Sequence, residues 1–280
     1  MGIRTRFRAG AAILAAAALP VTLLAHESAG AQTPVHPLGW FNTDGSGGWE
    51  IWVNGSDVSD GGQYGAPTDK AFLPTAWVTS ESWGTFRDSD GTFRIDWDDD
   101  PFTDLTVRYG AAGDIPVAGF LAPPANGAES GVEAEVGAIG VFRPSDGKFR
   151  LDANRDGRTD STIRYGAAGD VPMLYDANWD LRGDLAVWRP TDGKFRIDLG
   201  RNGTTDRTIA FGTAGDLPFV GGDVNDDGFT DIGVYRPSDR KVRVDTDGDG
   251  ITNFSYSYDA EAPNPPGALP YVQELSLLAN

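Results

Sequence analysis

The feature that most constrains this chain is that it repeats itself, at a period of about 46 residues. Tyr109-Gly110-Ala111-Ala112-Gly113-Asp114-Ile115-Pro116 returns as Tyr165–Pro172 and as Phe211–Pro218, with a looser copy at Tyr64–Asp69. A second phrase, Phe142-Arg143-Pro144-Ser145-Asp146-Gly147-Lys148-Phe149-Arg150-Leu151-Asp152, returns at Trp188–Asp198 and Tyr235–Asp245. Phe86–Asp96 is a weaker copy and Phe41–Gly45 a remnant. The aromatic leads are spaced 45, 56, 46 and 47 residues apart, and the long interval holds the Ala/Pro/Gly-rich insertion Leu121–Gly131.

Each period reads as four short strands. In the copy that starts at Leu217, apolar Leu217–Gly222 is followed by Asp231–Arg236, by alternating Lys241–Asp245, and by Asn253–Tyr258. Pro-Ser-Asp-Gly and Pro-Thr-Asp-Gly supply the turns: Pro presets one dihedral, Asp or Ser bonds its own backbone, and Gly takes the left-handed position. No stretch after residue 32 needs a helix. Four strands at this period predict a β-propeller blade, with strands a to d running outward from the axis.

The ends are complementary. Leu38–Asn42 matches strand b, whereas Gly267–Val272 matches the strand-a phrase Gly215–Val220. The expectation is an all-β propeller of five four-stranded blades, its ring closed by the C-terminal strand joining the N-terminal b, c and d. Such closure removes free sheet edges around the ring. An open β-solenoid is the rival arrangement. Repeats fall near residues 38–70, 71–114, 115–170, 171–216 and 217–275 of a single domain, 32–280.

Residues 1–31 read as a secretory signal peptide. Arg4, Arg6 and Arg8 precede an Ala-rich apolar run, and Ala29-Gly30-Ala31 supplies the small residues of a cleavage site. The run is short for a membrane span and contains Pro20. The expected protein is therefore secreted, without membrane insertion, and monomeric. Composition narrows its chemistry. A formal net charge of −18 opposes nucleic acid as a partner. No cysteine means no disulfides and no thiolate site. Only His26 and His36 could serve a triad or a histidine metal site, and His26 leaves with the signal.

The Asp-rich loops carry the remaining chemistry. Asp223–Asp231 and Asp152–Asp160 both fit D-x-N-x-D-G-x-x-D. A hard dication such as Ca²⁺ takes six to eight oxygens, and alternate residues of a tight loop aim them inward. The candidate ligands are Asp223, Asn225, Asp227, the Phe229 carbonyl and Asp231 in one loop. In the other they are Asp152, Asn154, Asp156, the Arg158 carbonyl and Asp160. Asp176, Asn178, Asp180 and Asp184 keep the side-chain ligands with Leu181 in place of the glycine. Asp96–Asp104, Asp198–Asp206 and Asp245–Asn253 are weaker copies, having Pro101, Gly200 and Asn253 at key positions. The competing reading is that Asp, Asn and Gly are simply turn residues, copied with the repeat. Asp114, Asp170 and Asp216 are expected to cap the crossover turns, with Arg143, Arg189 and Arg236 pairing nearby carboxylates.

The segment Gly221-Gly222-Asp223-Val224-Asn225-Asp226-Asp227-Gly228-Phe229-Thr230-Asp231-Ile232-Gly233-Val234-Tyr235, preceded by Phe211-Gly212, resembles the FG-GAP repeat of integrin-α-like and VCBS-type proteins. The resemblance covers most of residues 38–275. It implies a propeller with structural Ca²⁺ in the a–b loops, mapped onto Asp223, Asn225, Asp227 and Asp231 and onto Asp176, Asn178, Asp180 and Asp184. The Asp152 loop lies between c and d, outside the family's usual place. Family members usually have seven blades of longer repeats. The short period here is similar to that of tachylectin-type sugar-binding propellers.

The function expected is non-catalytic, calcium-dependent binding or adhesion to an extracellular protein or glycan. Trp97 and Trp179 in Asp-rich loops are candidates for stacking on a sugar. Trp40, Trp49, Trp52, Trp77, Trp83 and Trp188 are assigned to the core. The alternative is a glycoside hydrolase, which needs paired carboxylates on strands facing the funnel. The a strands, read as Phe72–Trp77, Ile115–Leu121, Val171–Asp176, Leu217–Gly222 and Leu269–Glu274, offer almost none except near their ends.

Overall fold

The computed structural model describes residues 37–41, 48–53, 56–63, 65–66, 68–72, 83–96, 102–119, 137–178, 180, 182–220, 224–225, 227, 230–257 and 271–272. The chain divides into Met1–Pro34 and Val35–Asn280, and every described residue belongs to the second unit.

In chain order the strands are β1 (Pro37–Phe41), β2 (Gly48–Val53), β3 (Ser56–Gln63), β4 (Lys70–Phe72), β5 (Trp83–Arg87), β6 (Thr92–Asp96) and β7 (Leu105–Arg108). Then come β8 (Ile115–Gly119), β9 (Ala138–Arg143), β10 (Lys148–Asp152), β11 (Ser161–Arg164), β12 (Val171–Tyr175), β13 (Asp184–Arg189) and β14 (Lys194–Asp198). The rest are β15 (Arg207–Ala210), β16 (Leu217–Val220), β17 (Ile232–Arg236), β18 (Lys241–Asp245), β19 (Phe254–Ser257) and β20 (Tyr271–Val272).

Four sheets each use four consecutive strands: β4–β7, β8–β11, β12–β15 and β16–β19, antiparallel throughout. A further sheet has the order β20-β1-β2-β3, so it draws on both ends of the unit. The first strands of successive sheets lie side by side, β4 with β8, β8 with β12, β12 with β16 and β16 with β20. Sheets fanning out from adjacent inner strands make an all-β propeller.

Register follows the aromatic leads. Lys70 pairs with Phe86, Ile115 with Phe142, Val171 with Trp188 and Leu217 with Tyr235. This fixes strand a of the repeat near 71–114 at Lys70–Phe72, earlier than the expected Phe72–Trp77, and residues 73–82 lie outside the described set. The leads then face strand c: Phe86 opposes Phe93, Phe142 opposes Phe149, Trp188 opposes Phe195 and Tyr235 opposes Val242. All eight are at most 2% exposed. Burying each such side chain contributes roughly 2–3 kcal/mol. Phe86–Phe93 and Phe142–Phe149, with centroids 4.9 and 5.0 Å apart, add aromatic pairing. The Trp188 indole satisfies its N–H on the Phe211 carbonyl at 3.0 Å.

Two kinds of ion pair recur among the described repeats, the first in four of them and the second in three. Asp114 accepts from Arg143 Nε and Nη2, both at 2.7 Å, and from Ala111 N at 2.9 Å. Asp170 does the same with Arg189 and Ala167, Asp216 with Arg236 and Thr213, and Asp69 with Arg87 and Ala66. The aspartates both cap the crossover turns and clasp the end of strand b. The second kind sits on the b–c hairpins, where Arg150, Arg196 and Arg243 reach back to Asp146, Asp192 and Asp239. Those hairpins turn at Gly147, Gly193 and Arg240, all with positive φ. At Gly147 a Cβ would lie 2.7 Å from the Gly166 carbonyl, so only glycine fits.

Neighbouring sheets are joined at the c–d loops. Tyr109 O–H and Thr159 Oγ1 are 3.0 Å apart, and Tyr165 and Thr205 repeat the contact at 3.2 Å. Among the described residues, no helix is long and apolar enough to cross a membrane.

Candidate functional site

Antiparallel order puts the a–b and c–d connections at the same end of every blade, so the Asp-rich loops share one face. The Asp152 and Asp176 loops share one hydrogen-bond wiring.

Among the described residues, three c–d loops close on their own backbone. Asp152, wholly buried at the end of β10, accepts from Asp156 N at 3.2 Å and Gly157 N at 2.8 Å. Asn154 accepts from Asp156 N, Asp156 from Arg158 N, and Asp160 from Ala153 N at 2.7 Å. Asp198 and Asp245 cap the same loop positions, with Gly203 N at 2.6 Å and Gly250 N at 2.8 Å. Asp206 and Asn253 close those loops as Asp160 does. The wiring persists in the Asp198 loop although Gly200 takes the place of the second ligand, Asn154 in the Asp152 loop. It therefore serves the backbone with or without a cation. Burial pushes the Asp152 and Asp245 carboxyls above the ordinary range.

The a–b loop Asp176–Asp184 is different in its electrostatics. Asp184 opens β13, is 1% exposed, and accepts from Ala177 N at 3.1 Å. Asp176 and Asn178 accept from Asp180 N, and Asp180 from Arg182 N. The Asp184 carboxyl is pushed up to about 7, first by burial and then by the Asp180 and Asp176 carboxylates, against the lowering from Ala177 N–H. An all-oxygen donor set in which burial and two neighbouring carboxylates raise the Asp184 proton affinity fits a hard cation.

In the Asp223 loop, Asp223 and Phe229 lie outside the described residues. Asp231 is 2% exposed and accepts from Val224 N at 2.7 Å, while exposed Asn225 donates to Asp227 at 2.9 Å. Asp231 and Asp184 thus fill one role in two repeats. Trp97 and Trp179 also lie outside the described set.

The closest acidic group is one that the spacing rule ranked low. Among the described residues, Asp245, Asp247 and Asp249 bring one carboxylate oxygen each within 4.8 Å of one another. Asp176, Asp180 and Asp184 do not close to that spacing. The signal in sequence was the acidic run itself, which the terminal Asn253 masked.

No family model matches the chain, and no curated protein does. Solved structures with similar backbones include glutaminyl cyclase of Myxococcus xanthus, at 10% identity and TM-score 0.40, over 63% of this chain and 66% of that one. A protein of unknown function from Bacteroides caccae matches at 11% identity and TM-score 0.44, over 80% and 73%. The Swd1 β-propeller domain of Myceliophthora thermophila matches at 10% identity and TM-score 0.38, over 68% and 58%. The chain spans less than two thirds of the length of the first three structures it matches.

Proposed function

We propose that this protein is a secreted, calcium-stabilised propeller of the FG-GAP or VCBS type that binds an extracellular protein or glycan without catalysis. The observation that carries the calcium reading is the Asp176–Asp184 loop, where a buried carboxyl is raised to about 7 by burial and two neighbouring carboxylates. Ca²⁺ there removes the mutual repulsion and supplies a charge anchor between strands a and b. The matching role of Asp231 extends the assignment to Asp223–Asp231. Asp245, Asp247 and Asp249 form a further candidate on the same face. The Asp152 loop, whose wiring matches that of the Asp176 loop, is a further candidate.

We infer five blades, with the ring closed at β20. What supports this is the pairing of β20 with β1, Leu38 with Val272 and Gly39 with Tyr271. What supports binding over catalysis is the content of the inner strands. Lys70–Phe72, Ile115–Gly119, Val171–Tyr175 and Leu217–Val220 contain no Asp, Glu or His, so a paired-carboxylate hydrolase has no residues there to work with.

The test is mass spectrometry of what the protein retains from its own extracellular milieu, with Ca²⁺ and with chelator. Calcium-dependent retention of a defined protein or glycan is expected. Hydrolysis of retained glycans would overturn the non-catalytic reading.

A further inference from the structure

The blades carry opposite charge at their two ends. The b–c hairpins and d–a crossovers share one end, away from the Asp-rich loops. In the sheet β8–β11 that end has two carboxylates, Asp114 and Asp146, and both are held, by Arg143 and Arg150. The sheet β12–β15 repeats this with Asp170 on Arg189 and Asp192 on Arg196, and β16–β19 with Asp216 on Arg236 and Asp239 on Arg243. Lys148, Lys194 and Lys241 open strand c at the same end. Among the described residues of these three sheets, no carboxylate at that end is left to match them.

The register sets these lysines beside further cations. Lys148 lies opposite Arg143 on one side and Arg164 on the other. Lys194 lies opposite Arg189, and Lys241 opposite Arg236. Like charges directly opposite each other destabilise a sheet. A row of cations kept at that cost points to an anionic partner. The other end is the reverse. Its a–b and c–d loops carry the aspartates described above, including the close trio Asp245, Asp247 and Asp249. It also presents the exposed large apolar side chains of the described residues, Phe102 at 70% and Ile251 at 65%. Each stands two residues before its c–d loop closes, at Asp104 and Asn253. The basic end offers half-buried Ile115, Val171 and Leu217, where strand a begins.

We propose that the basic end docks on the acidic end of a second copy of this chain, giving head-to-tail stacks along the propeller axis. This goes beyond the binding-module reading and departs from the monomer expected from sequence. One repeat about one axis generates both charge arrays, so their angular spacing matches from copy to copy. Such a contact is heterologous, so stacking is open-ended. The net charge of −18 opposes it only where charges at the far ends are felt. A five-residue strand spans about 17 Å, against a Debye length of about 10 Å at 0.1 M ionic strength. At that salt the facing surfaces dominate. At about 0.01 M the Debye length of about 30 Å lets whole-chain repulsion through, and at about 1 M, where it is about 3 Å, the contact itself is screened.

The test is sedimentation velocity over a range of protein concentrations at these three salts. Concentration-dependent growth beyond the monomer is expected at about 0.1 M, with a Kd on the order of 10–100 µM, and much less at either extreme. Lys148→Glu, Lys194→Glu and Lys241→Glu together should abolish growth. Each new carboxylate faces an arginine, so the fold is kept. That variant retains its acidic end, so mixed with wild type it should cap the stacks and shorten them. Phe102→Lys with Ile251→Lys makes the chain less negative, which by net charge alone favours association, yet it should weaken stacking at least about tenfold. A monomer at all three salts overturns the proposal, as does growth that rises steadily with salt or survives in the lysine-to-glutamate variant. Phosphatidylserine vesicles that capture a monomeric wild type but not that variant would give the basic end to an anionic surface and overturn stacking.

Discussion

Removing one arginine from each of two ion pairs in the same repeat separates burial from charge as the source of stability. Arg189 and Arg196 both pair with aspartate, but the partners differ in exposure: the Asp170 side chain is 2% exposed and the Asp192 side chain 34%. Asp170 takes two bonds from Arg189 at 2.7 Å and one from Ala167 N at 2.9 Å. Arg189→Met keeps most of the alkyl stem and deletes the guanidinium. It leaves a buried carboxylate with one remaining donor, for which breaking a buried pair costs about 3–5 kcal/mol. Because the Arg189 side chain is 33% exposed, water reaches the vacated site and the lower end, about 3 kcal/mol, applies. Arg196→Met breaks an exposed, solvent-screened pair and is expected to cost far less than Arg189→Met. Arg189→Lys keeps the charge without the two-toothed fork and falls between them. The assay is urea denaturation in Ca²⁺, read as a change in midpoint at constant slope. Raising the salt concentration should shrink the Arg196 effect and leave most of the Arg189 effect. Equal costs for the two methionine variants, or an Arg189→Met cost below about 1 kcal/mol, would refute the reasoning.

Three further outcomes are expected. Excess chelator lowers the melting temperature, and an unchanged melting curve would sink the stabilising role of calcium. In chelator, Asp184 binds its proton more tightly folded, at about 7, than its ordinary value of 3.8. Metal-free stability therefore rises as pH falls through about 7 toward 4, while calorimetric Ca²⁺ affinity falls over the same window. Asp184→Asn should remove its share of both trends. Finally, Gly147→Ala places a Cβ 2.7 Å from the Gly166 carbonyl at φ +64°, and is expected to cost about 2–3 kcal/mol by chemical denaturation. Gly169→Ala, at φ +87° with nothing within 4 Å, should cost about 1 kcal/mol.

The candidate loops show how far spacing carries. D-x-N-x-D-G-x-x-D describes Asp152–Asp160 as well as it describes Asp223–Asp231. Yet the Asp152 oxygens accept from the loop's own amides, in a pattern kept where Gly200 leaves a ligand out. Asp176 accepts from its own loop's amides in the same pattern, so what sets Asp184 apart is burial beside two carboxylates, which spacing does not record. Asp184 gains its raised carboxyl only when strand b buries it beside Asp176 and Asp180.

The sequence by itself determined the repeat, the four short strands per period and the turns that join them. These rest on local rules: alternation of side chains, and the dihedral needs of Pro, Asp and Gly. It also marked Arg143, Arg189 and Arg236 as partners for carboxylates, without saying which. Tertiary structure chose Asp114, Asp170 and Asp216, since the a–b pairing brings together residues 29, 19 and 20 positions apart. It also set like charges in register, since Lys148 meets Arg143 and Arg164 only when strands b, c and d pair. Local chemistry fixes each strand and turn, and the pairing of strands decides which side chains share an end of the blade.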